Sequence, residues 1–139
     1  MPSGNIHLTL AFLGNIARDS VPRLESVAAG ISAARFELAV SRVEYWRHNR
    51  IVWAGPEDCP GALRELAAQL GQALAAEGYR LDDRPFAPHI TLVRNAGRAP
   101  GPASRPAVSW RVDAFALVES AARGPGRAYQ VLREWPLNA

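Results

Sequence analysis

Lysine is absent from this 139-residue chain, and all sixteen of its cations are arginine. Cysteine is almost absent: Cys59 stands alone. No internal disulfide can form, and a reducing, cytoplasmic setting is expected. No apolar run approaches the 18 or so residues that a membrane helix needs, so no membrane is expected among the partners. The opening Met1-Pro2-Ser3-Gly4-Asn5 has neither a basic n-region nor an apolar h-region, which argues against a signal peptide. The eleven glycines and eleven prolines show no period, which excludes collagen-like and low-complexity classes. Sixteen arginines against thirteen acids leave a net charge of +3, with 48% apolar and 21% charged residues. That balance is too apolar and too weakly charged for a disordered chain. At this length one domain with a substantial core is the natural count.

The charge is unevenly spread. Residues 1–93 hold nine Arg and ten acids, whereas residues 94–139 hold seven Arg and three acids. A guanidinium matches phosphate geometry, so the basic final third points toward a phosphorylated or nucleic-acid ligand. The excess is small, and 25 alanines in a lysine-free chain are equally consistent with a compositional bias. Cys59, before a helical segment and beside Glu57 and Asp58, reads as an unreactive loop thiol, because carboxylates oppose thiolate formation.

Residues 5–13 alternate well enough to predict a strand, ended by Gly14-Asn15. Asp19-Ser20 followed by Pro22 opens a helix carrying Leu24, Val27, Ala28 and Ile31. Phe36 to Val43 and Ile51 to Gly55 read as strands joined by a turn at His48-Asn49-Arg50. Residues 61–77 make the clearest helix, with Leu63, Leu66, Leu70 and Leu74 as its stripe and Gly78 as its stop. Pro88 to Arg94 reads as a strand, 97–106 as an irregular loop, Val108 to Val118 as a strand, 123–127 as a turn and Tyr129 to Glu134 as a last strand. The order β-α-β-β-α-β-β-β implies an α+β fold with mostly antiparallel sheet.

One repeat carries chemistry. His7-Leu8-Thr9-Leu10 recurs as His89-Ile90-Thr91-Leu92, 82 residues later. Strand alternation puts the His and Thr of each copy on one face and the apolar pair on the other. Imidazole accepts or donates a proton near neutral pH, so two of them supply the base and the acid of a phosphoester transfer. Threonine hydroxyls can bond phosphate oxygens. A zinc site from His7, His48 and His89 is disfavoured, because no Cys, Asp or Glu stands at ligand spacing around them. His48 reads as a solvated turn residue. Phe12 shares the face of Leu8 and Leu10 and is expected in the core; Phe86 and Tyr129 are left as candidate stacking residues.

These stretches, together with Asp83-Arg84-Pro85-Phe86-Ala87-Pro88 before the second motif and Tyr129 to Leu137 at the end, resemble the two-histidine (2H) phosphoesterase superfamily. The chain looks most like the RNA 2′,3′-cyclic phosphodiesterases, also called 2′-5′ RNA ligases. The resemblance implies a bilobed fold with a pseudo-twofold axis through a cleft. It implies hydrolysis of RNA 2′,3′-cyclic phosphate ends to 2′-phosphates, and reversible 2′-5′ joining of RNA. His7 then matches the proton donor, His89 the proton acceptor, and Thr9, Thr91 and Arg94 the phosphate-binding residues. The pseudo-symmetry leaves the two histidine roles exchangeable. Strict alternation from His89 puts Arg94 on the opposite face, unless the strand ends or bulges near Val93. The implied cofactor and metal requirement is none. The implied partners are RNA with a 2′,3′-cyclic phosphate end, such as tRNA halves, or a small cyclic nucleotide.

Members of that family carry a strand and a helix before the first motif, a stretch of about 25–30 residues at typical element lengths. Residues 1–139 therefore read as a single two-lobed domain lacking that element. A complete protein is expected to be a monomer, and the shortened form to be less stable and to dimerise through a vacated edge. Two other function classes compete: a non-catalytic module that binds RNA ends, and another 2H activity on a different RNA end or cyclic nucleotide.

Overall fold

The computed structural model of the chain describes residues 5–82, 84–99, 108–123 and 126–139. After a single 3-10 turn at Arg18–Ser20, helix α1 runs Val21–Ala29, with Pro22 in its first turn, where a missing N–H costs nothing. It buries Leu24 and Ala28. Helix α2, Gly61–Ala76, buries Leu63, Leu66, Leu70 and Leu74, the stripe expected from the spacing. Gly78 ends it at φ +92°, a conformation that a side chain would strain.

Among the described residues, seven strands form three antiparallel sheets. β1 (Phe36–Val40) pairs with β5 (Val108–Val112). β2 (Arg42–Trp46), β3 (Ile51–Gly55) and β4 (Ile90–Val93) lie in the order β2-β3-β4. β6 (Ala114–Arg123) and β7 (Gly126–Pro136) make a long hairpin. The α+β class is borne out, and the element order is α-β-β-β-α-β-β-β-β.

Three expectations change. Residues 5–13 do not form a strand: Leu8 alone bridges to Ile90. β4 is only four residues long and carries a register shift against β3, so its other edge offers the first motif only a short ladder. Second, the runs Phe36–Val43 and Val108–Val118 are each two strands, broken at Ser41 and at Asp113, where the chain passes from one sheet to another. Continuous apolar patterning is blind to such a change of partner. Third, Phe12 is 79% exposed and not part of the core; once the segment leaves the strand conformation after Leu8, alternation no longer carries it inward. The expected loop over 97–106 and the turn at 123–127 fall partly outside the described residues.

Among the described residues, most of the buried side chains gather in two clusters. One holds Ala28, Ala33, Leu66, Leu70, Phe115, Trp135 and Leu137. The other holds Leu38, Val40, Ala54, Leu63 and Ile90, with Leu8, Leu10 and Leu92 packed on it. Leu10, Phe36 and Val112 touch both, and α2 reaches one cluster through Leu63 and the other through Leu66 and Leu70. Leu38→Ala and Leu66→Ala, at two of the three most completely buried leucines, should each lower stability by about 2–5 kcal/mol in urea unfolding. Phe12→Ala should stay within about 0.5 kcal/mol of the parent protein.

Candidate active site

The bridge between Leu8 and Ile90 is antiparallel. One residue to either side of it, His7 comes beside Thr91 and Thr9 beside His89. Their apolar neighbours Leu8, Leu10, Ile90 and Leu92 all pack on one cluster below, as alternation requires. The two His-x-Thr motifs therefore converge on one face, related by the local twofold of the bridge.

Each imidazole is tethered in the same way. His7 Nδ1 lies 2.6 Å from the carbonyl oxygen of Asn5, and His89 Nδ1 lies 2.9 Å from that of Ala87. A carbonyl oxygen accepts and cannot donate, so Nδ1 is the donor in both rings. The tether fixes the tautomer and leaves Nε2 as the nitrogen available for proton transfer. Both histidines are half-buried, Thr91 is half-buried, and Thr9 is exposed.

The rings are braced differently. His7 lies against Tyr129, with centroids 4.7 Å apart and a tilt of 50°. His89 meets Trp46 edge-on at 4.7 Å and Trp53 at 6.3 Å, and the two indoles lie 4.9 Å from each other. Trp53 pairs with Glu44 across β2 and with Thr91 across β4, which puts Glu44, Trp46, Trp53 and Thr91 on the site face of this sheet. Arg42 lies over the Trp53 ring at 5.0 Å. Trp46 and Trp53 were not singled out from the sequence. Their diagonal positions across a hairpin turn were the available signal, but it needed the β3–β4 register to become meaningful.

The chain entering His89 crosses β3 closely. A Cβ on Gly55 would fall 2.9 Å from the Pro88 carbonyl oxygen, so only glycine lets Pro88 and His89 sit there. Just upstream, Asp82 is bonded to the Arg84 guanidinium and backbone N–H, which hold its carboxyl down at about 2. A carboxyl lowered on folding adds stability above its unfolded value and loses it only as pH falls toward the folded one. This ion pair therefore stays intact across the neutral range.

Arg94 follows the end of β4, in a bend at Arg94–Asn95. β4 pairs Thr91 with Trp53 but Val93 with Val52, so Leu92 is an extra residue in the ladder. Counted through that shift, alternation expects position 94 on the side of His89 and Thr91. The bend is held from the next residues: the Ala96 N–H donates to the Arg50 carbonyl, and the Ala96 carbonyl accepts from Tyr45 Oη and Arg50 Nε.

The remaining candidates stay apart from this face. His48 is exposed in the β2–β3 turn, 6.1 Å from Trp46. Burial, the larger influence, pushes the Cys59 thiol up, and this outweighs the downward pull of Arg64. Phe86 packs on the second apolar cluster. Among the described residues no three His, Cys, Asp or Glu side chains gather at metal-binding spacing.

Two outcomes are expected. Long-range proton–nitrogen spectra should assign the Nδ1–H tautomer to neutral His7 and His89. Gly55→Ala should cost about 1–3 kcal/mol of stability, as an overpacked contact against backbone does, and should shift the His89 resonances.

Comparison with known proteins agrees with this arrangement. The chain is 38% identical over 137 residues to an RNA 2′,3′-cyclic phosphodiesterase of Escherichia coli, covering 96% of this chain and 76% of that protein. The solved structure of E. coli LigT in its apo form superposes with a TM-score of 0.91 at 33% identity, covering all of this chain and 80% of the other. LigT complexed with 3′-AMP superposes with a TM-score of 0.89 at 34% identity, covering 97% and 78%. The family model described as the 2′-5′ RNA ligase superfamily matches residues 4–124. Across both histidine motifs and most of its length, the chain belongs to the 2′-5′ RNA ligase superfamily.

Proposed function

We propose that this protein is a two-histidine phosphodiesterase that hydrolyses RNA 2′,3′-cyclic phosphate ends to 2′-phosphates. The observation that carries the reading is the pairing of two His-x-Thr motifs, each imidazole tethered through Nδ1 with Nε2 left available. The E. coli relative named for this activity, and the LigT structure holding 3′-AMP, support it.

In this mechanism Nε2 of neutral His89 takes a proton from water as its oxygen attacks phosphorus. Nε2–H of protonated His7 gives a proton to the 3′ oxygen as the P–O3′ bond breaks. A bond to water oxygen replaces the bond to O3′, and the phosphate remains on the 2′ oxygen. The Thr9 and Thr91 hydroxyls donate to the non-bridging oxygens, and Arg94 adds a fixed positive charge. Donors aimed at developing negative charge stabilise the transition state more than the ground state. With a 5′ hydroxyl in place of water, the same steps join two RNA ends through a 2′-5′ bond, and in the reverse cleavage microscopic reversibility exchanges the two histidine roles. The donors offered by the two motifs are imidazoles and hydroxyls, a set that performs this chemistry by proton transfer.

An RNA ending in 2′,3′-cyclic phosphate, incubated with EDTA present, should be turned over to a 2′-phosphate product at an undiminished rate. His7→Ala and His89→Ala should each lower the rate by about 10²–10⁴-fold, and His48→Ala should leave it near the parent value. The rate should pass through a maximum with pH, because one imidazole must be neutral while the other is protonated. Full turnover by a folded His7→Ala protein would defeat the two-histidine mechanism. Binding of the cyclic end without turnover by the parent protein would instead identify a non-catalytic module.

A further inference from the structure

The first histidine lies outside any strand, yet its ring is held. Its Nδ1 bond reaches only to Asn5, two residues away, so what fixes Asn5 also fixes the imidazole. The Asn5 side-chain Nδ2 donates to the Arg127 carbonyl oxygen at 2.7 Å, across 122 residues of sequence. Two residues further along the same strand, Tyr129 contributes the ring packed on His7 at 4.7 Å. One short stretch of β7 thus grips both ends of the Asn5–His7 unit. His89 has no such dependence: its ring rests on Trp46 and Trp53, which belong to the same sheet as β4. The β6–β7 hairpin forms a sheet of its own.

We propose that Asn5 and Tyr129 are positioning residues that suspend His7 from β7, making the β6–β7 hairpin the support of one half of the acid/base pair. The catalytic consequence rests on the two-histidine reading above; the structural dependence of His7 on β7 does not. Neither residue needs to touch substrate. Asn5 secures the carbonyl that accepts from Nδ1, and the Tyr129 ring limits the rotation of the imidazole, so that Nε2 keeps its aim.

The test is a variant series read by imidazole NMR and by steady-state kinetics on RNA with a 2′,3′-cyclic phosphate end. Tyr129→Leu should shift the His7 ring protons, since the neighbouring aromatic ring current is lost, while those of His89 stay in place. Asn5→Ala should shift or broaden the His7 resonances in the same selective way. Trp46→Phe should move His89 and leave His7 alone. In kinetics, Asn5→Ala and Tyr129→Leu should lower kcat by about 10- to 100-fold with KM within about twofold, since misplacing a catalytic group by about 1 Å costs up to about that much. Tyr129→Phe keeps the ring and should restore both the spectrum and kcat.

His7 resonances that do not move in Asn5→Ala or Tyr129→Leu would overturn the proposal, as would equal shifts at both histidines. A Tyr129→Phe variant as impaired as Tyr129→Leu would also overturn it, because the phenolic hydroxyl would then be acting on substrate. Should the parent protein show no turnover, the functional reading fails, and the NMR series still decides whether β7 holds His7.

Discussion

A single antiparallel bridge, Leu8 to Ile90, sets the geometry on which the rest of the site depends. Any such bridge carries a local twofold axis. Here the axis lies between two copies of one tetrapeptide, so it exchanges His7 with His89 and Thr9 with Thr91. Alternation then delivers the polar pair to one side and the apolar pair to the cluster below. The same few residues therefore make the reactive face and anchor it, and a shift in register at this point would send both sets to the wrong side.

The scaffold reinforces this arrangement from underneath. Helix α2 puts Leu63 into the cluster beneath Ile90 and, one and two turns on, Leu66 and Leu70 into the cluster that backs the β6–β7 hairpin. The sheet that braces His89 and the hairpin that braces His7 thus share one helix as their floor. Close packing on a common element resists compression, which suits two groups that must keep a fixed separation.

Much of this was legible in the residues. The repeated His-x-Thr motif, the leucine stripe of α2, the glycine stop at Gly78 and the hairpin turn at His48 all depend on local spacing, and all lie where spacing puts them. What escaped depends on non-local pairing. Nothing near residues 5–13 reveals that β4 has so little edge to offer, so alternation alone overstates that strand and misplaces Phe12. Ser41 and Asp113 change sheets inside unbroken apolar patterns. The Trp46–Trp53 brace and the Asn5–Arg127 bond join segments that no local window contains.

The extra residue at Leu92 bears on the lengths this chain can tolerate. Substitution at Leu92 for another apolar side chain keeps the count of backbone units between Thr91 and Arg94. Deletion does not. Removing one residue there would restore simple alternation, turn position 94 toward the apolar side, and strand a guanidinium over the groove floored by Val43, Ala54 and Ile90. At this point the backbone acts as a ruler, and the site depends on how many residues are present before it depends on which ones they are.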